Sequence, residues 1–204
     1  MAASRQRQLV ETHLAKHGMA RLAELRAVGA TAATVARMVE DGRVIRLARG
    51  LYQLSDAPIS IHHSLAEAAK LAPKGIVCLT SALAFHGLTD QLPRTVTLAV
   101  PKGDWTRRPA AALIRLIQMA DALLRADVET HMIDGVSVKV FSAARTVADC
   151  FRHRRTVGLA VALEGLQEAL RQRKATPAAL MRLAEAGGVA PVMRPYLEAL
   201  TANA

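Results

Sequence analysis

Residues 42–54 read GRVIRLARGLYQL. A basic, apolar run ends at Arg49-Gly50, and Leu51-Tyr52-Gln53-Leu54 returns from it. Glycine tolerates the positive φ that a tight turn demands, so the stretch predicts a hairpin. Upstream, Met19–Arg26 reads as a short helix, Val28-Gly29-Ala30 as a turn, and Thr31 as the start of a second helix. Two helices joined by a glycine-containing turn and followed by a basic hairpin predict a winged helix-turn-helix. That arrangement reads duplex DNA.

The flanking sequence agrees. Leu9, Val10 and Leu14 form a narrow apolar stripe over 4–17, and Gly18 is placed to end that helix. Thr31 has the hydroxyl of a good N-cap. Beyond it Val35, Met38 and Val39 share one face, while Ala33, Arg37 and Glu40 share the other. Asp41-Gly42 stops the helix. Ser55-Asp56-Ala57-Pro58 breaks the pattern, so the expected division is a DNA-binding domain at 1–57 and a second domain at 58–204.

The DNA-facing set expected from this layout is Thr31, Ala33, Thr34 and Arg37 on the second helix, with Arg43, Arg46 and Arg49 in the wing. The wing arginines recur every three residues, so twist and turn must gather them for phosphate and minor-groove contact. Arg37 can reach a guanine edge or a phosphate, the threonines can bond phosphate or base, and Ala33 can touch a thymine methyl. The plainer alternative is a solvated ribbon.

Charge supports a polyanion partner. Lys and Arg number 27 against 17 Asp and Glu, a net +10, and each neutralised phosphate releases a condensed counterion. Aromatic residues make up 3% of the chain, which disfavours single-strand binding on stacked rings. Cys78 and Cys150 lie in apolar contexts without CxxC spacing and read as buried thiols of a reducing compartment. No apolar signal core and no run of 18 apolar residues is present, so a cytoplasmic protein without a membrane partner is expected.

The second region predicts an α+β fold: a small sheet with a helical C-terminus. Helices are expected at 63–71, 81–86, from Ser142, at 157–171, from Thr176-Pro177 and near Met193. Strands are expected at 76–79, 95–100, 113–118, 129–133 and 136–141, with Asp134-Gly135 as a type I′ turn. PKGDWTRRPAA, 101–111, reads as a loop. Arg152, Arg154 and Arg155, with Arg171, Arg173 and Lys174, form two basic clusters. These read either as a partner or polyanion surface or as cations favoured at helix C-termini.

Enzyme signatures are missing. No phosphate-binding glycine motif and no GxSxG occurs, and the histidines lack metal-ligand spacing. His86 in SALAFHGL reads as a helix-end histidine bonded to backbone. Glu129, Asp134 and Lys139 leave a metal-dependent nuclease weakly open. The expectation is no catalytic residue, metal or cofactor.

Three segments taken together resemble the AbiEi-type antitoxins, winged-helix regulators of AbiE toxin–antitoxin systems. They are RVIRLARGLYQL, PKGIVCLTSALAFHGLTDQLP and IDGVSVKVFSAARTVADCF. Their specific marks are the GLY that closes the wing, SAL…HGL, and the helix start with Arg145, Thr146 and Asp149. The resemblance implies an N-terminal domain that represses its own promoter. It also implies a C-terminal domain that counters a co-encoded nucleotidyltransferase-type toxin. From the residues alone, two rivals remain: a ligand-sensing winged-helix transcription factor and a DNA-acting enzyme.

Overall fold

In the computed structural model, which describes residues 2–103 and 113–202, the wing is a hairpin of β2 (Val44–Ala48) and β3 (Leu51–Leu54). Arg49-Gly50 makes its turn, with Gly50 at φ +73°. The ladder slips between Arg46 and Ala48, a bulge that brings the wing to its turn. Most of the loop expected at 101–111 lies outside the described residues.

The described residues group into two units. One holds 2–74, 113–114 and 130–138; the other holds 75–103, 115–129 and 139–202. In the first, α1 (Ala2–His17), β1 (Met19–Arg21), α2 (Leu22–Ala27) and α3 (Ala32–Glu40) precede the wing, and α4 (His63–Leu71) follows it. The helix expected from Met19 begins three residues later. Met19-Ala20-Arg21 instead pairs antiparallel with Gln53-Tyr52-Leu51, giving a sheet of order β1-β3-β2. Met, Ala and Arg favour helix locally, but the free edge of β3 satisfies their backbone groups, and pairing overrides propensity.

Val10 and Leu14 of α1, Leu25 of α2, Val35 and Met38 of α3 and Val44 of the wing pack as one core. Each is fully or almost fully buried, which stabilises by about 1.5–3 kcal/mol per large side chain before entropy is counted. Gly18, at φ +69°, ends α1. A Cβ there would meet the Asp134 carbonyl oxygen at 1.6 Å, so only glycine lets the two backbones approach.

The second sheet has order β6-β5-β4-β8-β7, formed by β4 (Ile76–Val77), β5 (Val96–Pro101), β6 (Ile114–Met119), β7 (Val128–Ile133) and β8 (Val136–Phe141). β4 runs antiparallel to β5 and parallel to β8. Asp134 at φ +47° and Gly135 at φ +76° give the β7–β8 turn the positive dihedrals expected of it. The strand expected to reach Leu79 stops at Val77. Leu79, at φ +50°, already opens α5 (Leu79–Phe85).

In the second unit the centre is α7 (Ala143–Arg152), whose residues from Ala143 to Phe151 are all buried. Ser142 caps it by accepting from the Arg145 N–H. It packs against α5, α9 (Leu159–Arg171) and α10 (Pro177–Ala186). The expected helix 157–171 is divided: α8 (Arg154–Val157) ends at Gly158, whose φ of +97° separates it from α9. α6 (Asp121–Leu124) is a short turn of helix that the sequence pattern did not indicate, and α11 (Ala190–Thr201) closes the chain. Cys78 and Cys150 are fully buried free thiols, and burial pushes both well above the usual thiol range.

Candidate nucleic-acid interface

The outward face of α3 is set by its cap and its core stripe. Thr31 Oγ1 accepts from the Thr34 N–H, fixing the first turn. Val35 and Met38 face inward, leaving Ala33, Ala36, Arg37 and Glu40 exposed. Ala33 and Arg37, both in the expected set, therefore share one open helix face.

Thr34 does not. It is 6% exposed, and its hydroxyl donates to Gln6 Oε1 at 2.5 Å. It also lies 2.9 Å from Thr31 Oγ1. Thr31 in turn donates to Gln6 at 3.2 Å. The two threonines and Gln6 thus bind α3 to α1. A sequence reading of polar residues at a helix start does not reveal this, because Gln6 is 28 positions away from Thr34. The Thr31-x-x-Thr34 spacing, which stacks two hydroxyls on one helix turn, is the available hint.

The wing arginines also separate. Arg43 ion-pairs with Glu11 of α1 at 2.8 Å, at the base of the wing. Arg46 and Arg49 are exposed toward the turn, where Arg46 Nε donates to the Ala48 carbonyl at 3.4 Å. Among the described residues, no carboxylate pairs with Arg37, Arg46 or Arg49. Three solvated guanidinium groups on α3 and the wing are what phosphate oxygens and base edges recognise.

The family model described as "Transcriptional regulator, AbiEi antitoxin" matches residues 7–55, from α1 to the end of the wing. Residues 7–55 are thus similar to an AbiEi antitoxin regulator domain. The crystal structure of the RV2827C protein from Mycobacterium tuberculosis shares the fold. Its TM-score is 0.60 at 13% identity, over 97% of this chain and 81% of that one. No curated protein matches the chain.

Outside residues 7–55, the basic clusters are partly occupied within the second unit. Arg171 is held by Glu168 at 2.6 Å, and Lys174 donates to the His86 carbonyl. Arg154 donates to the Phe151 carbonyl at 3.1 Å. Arg152, Arg155 and Arg173 are exposed. His86 Nε2 lies 2.7 Å from the Phe141 carbonyl, the backbone bond expected of it. Asp134 is held by His63 Nδ1 at 2.7 Å. Burial raises the Asp134 carboxyl, but its bonds with His63 and Ser60 outweigh this and leave it below the usual range. Among the described residues, no three His, Cys, Asp or Glu side chains group as a metal site. Among the described residues, no helix is long and apolar enough to cross a membrane either.

Sequence reasoning singled out Arg145 and Asp149 only as marks of a resemblance and missed that they form a buried pair on α7. Arg145 and Asp149 are 5% and 3% exposed, with Nε and Oδ2 2.8 Å apart. The guanidinium also lies 4.9 Å from the Phe141 ring centroid. Their i, i+4 spacing is visible in the sequence, but their burial is not. Burial leaves the Asp149 carboxyl above the usual range even beside its arginine.

Proposed function

We propose that the chain is an AbiEi-type antitoxin that represses its own promoter through the winged helix. Residues 58–204 would counter a co-encoded nucleotidyltransferase-type toxin. The observation that supports this best is the AbiEi antitoxin match, which coincides with a winged helix exposing Arg37, Arg46 and Arg49. Arg37 is assigned to base reading, assisted by Ala33 at a thymine methyl, and Arg46 and Arg49 to phosphate. Thr31 and Arg43 support the helix and the wing base. Thr34 is assigned to packing and leaves the DNA-facing set. No catalytic residue, metal or cofactor is assigned.

Repression is tested by electrophoretic shift on the upstream region against random duplex, with footprinting to show whether two copies occupy paired half-sites. Equal affinity for both duplexes would remove the repressor reading. For the toxin-facing role, exposure favours Arg152, Arg155 and Arg173 over Arg154, Arg171 and Lys174, which are engaged internally. Co-expression of the neighbouring toxin with the full chain, and with an Arg152→Glu/Arg155→Glu variant, tests that surface. Rescue of growth by the full chain and loss of rescue in the folded variant are expected.

A further inference from the structure

The exposed face of α3 holds one group that lies outside the set assigned to DNA. Glu40 is exposed, and it is the last residue of the helix. Each helical residue advances the face by about 100°. On that rotation Glu40 falls between Ala33 and Ala36, with Arg37 at the margin of the same stripe. Val35 and Met38 point the opposite way and are buried. Any approach that brings Ala33 and Arg37 to a groove therefore brings the Glu40 carboxylate with them.

The acids around it are neutralised, and Glu40 is not. Asp41 ion-pairs with Arg7 at 3.0 Å, and Glu11 with Arg43 at 2.8 Å. Among the described residues, no basic side chain pairs with Glu40. The position is also unfavourable to the helix, because a helix C-terminus disfavours negative charge. Nor does the carboxylate help general attachment to a polyanion, since it repels every phosphate alike. Neither helix stability nor charge attraction accounts for an acid here. A hydrogen-bond donor on the DNA does.

The major groove offers such donors on two bases. Cytosine presents its N4 amino group alone, whereas adenine presents N6–H beside the N7 acceptor. A carboxylate accepts from either amino group, but the adenine N7 lone pair repels it. Cytosine is therefore the base that a glutamate selects. Glu40 lies about 4.5 Å along the helix axis from Arg37. Base pairs are stacked about 3.4 Å apart, so the two side chains reach neighbouring pairs.

We propose that Glu40 determines sequence specificity by accepting from a cytosine N4 amino group, in the base pair next to the guanine read by Arg37. Without that cytosine the carboxylate meets phosphates and acceptors and is unfavourable. Glu40 thus discriminates mainly by weakening binding to other sequences. This role rests on the promoter-binding reading of α3 and adds a second base to it.

The test is selection of duplexes from a randomised pool by the full chain and by its Glu40→Gln and Glu40→Ala variants. Fluorescence anisotropy then compares the selected duplex with random duplex. Because Glu40 pairs with no basic side chain, both variants should melt at or above the wild-type temperature. The wild type should select a cytosine beside the guanine. Glu40→Gln should turn that position toward adenine, whose N6 and N7 match a carboxamide, and keep the guanine. Glu40→Ala should relax the position, bind random duplex several-fold tighter and lose about tenfold in discrimination. No cytosine at a selected position, an unchanged preference in both variants, or random-duplex affinity unmoved in Glu40→Ala would overturn the role. A wild type that selects no sequence at all would overturn the promoter-binding reading and this role with it. Selection by the wild type with identical behaviour of the variants removes Glu40 alone.

Discussion

The exposed arginines of α3 and the wing turn contrast with the engaged arginines of α7 to α9, although each unit holds both kinds. On α3 and the wing turn, Arg37, Arg46 and Arg49 are exposed without a carboxylate partner. In the second unit Arg145 is buried against Asp149, Arg171 is clasped by Glu168, and Arg154 bonds the Phe151 carbonyl. Net charge counts all of these alike. Only the unpaired, solvated ones can exchange counterions for phosphate. A basic composition therefore points to a polyanion partner, and the pairing pattern separates the exposed arginines from those already engaged.

The comparison breaks most visibly at the buried pair. Asp149→Ala should destabilise the protein by about 3–5 kcal/mol in urea unfolding, because it strands a buried guanidinium. Arg145 Nη2 already lacks a partner. An Arg145→Met/Asp149→Leu double variant should recover most of the loss. Asp149 also fixes the sign of a pH effect. Its folded pKa lies above the ordinary 3.8, chiefly through burial. Its contribution to stability is therefore complete below that ordinary value and lost as pH rises through the folded one. Removing the carboxyl in the double variant should flatten this part of the stability–pH curve.

The proposed DNA surface comes next in size. Arg37→Ala should cost about 1–3 kcal/mol on the promoter and much less on random duplex. Arg46→Ala should weaken both alike and reduce the salt slope by about 0.9. Fluorescence anisotropy across a salt series distinguishes the two. An Arg37 effect equal on both duplexes would reassign that residue to phosphate.

Smaller effects separate scaffold from contact within α3. Thr31→Ala removes the N-cap and should lower stability by about 1 kcal/mol. Thr34→Val removes the bond to Gln6 and should cost about 0.5–1.5 kcal/mol, with DNA affinity preserved once folding is accounted for. A DNA-specific loss in Thr34→Val would return it to the interface. The smallest effect belongs to the surface pair of α9. Glu168 should titrate at about 2, because Arg171 and Gln172 bond its carboxylate. In Arg171→Ala, NMR should show the midpoint moving back toward 4.5, with little change in global stability.

The sequence by itself determined the elements whose causes are local. Thr31 and Ser142 cap helices because a hydroxyl reaches an N–H three residues on. Gly50 and Asp134-Gly135 make turns because their positive φ values suit those residues. The i, i+3, i+4 stripe placed Val35 and Met38 inside and left Arg37 outside. These features carried the winged helix and most of the α+β reading. Tertiary structure decided whatever depended on a distant partner. Met19–Arg21 became a strand because β3 offered it a free edge. Thr34 turned inward because Gln6 of α1 accepted its hydroxyl. Arg43 went to Glu11, and Arg145 was enclosed with Asp149. Local propensity differences are a few tenths of a kcal/mol per residue, whereas leaving a backbone edge or a buried charge without its partner costs more. Where the two conflict, the partner decides, and a linear pattern does not show where that partner will be.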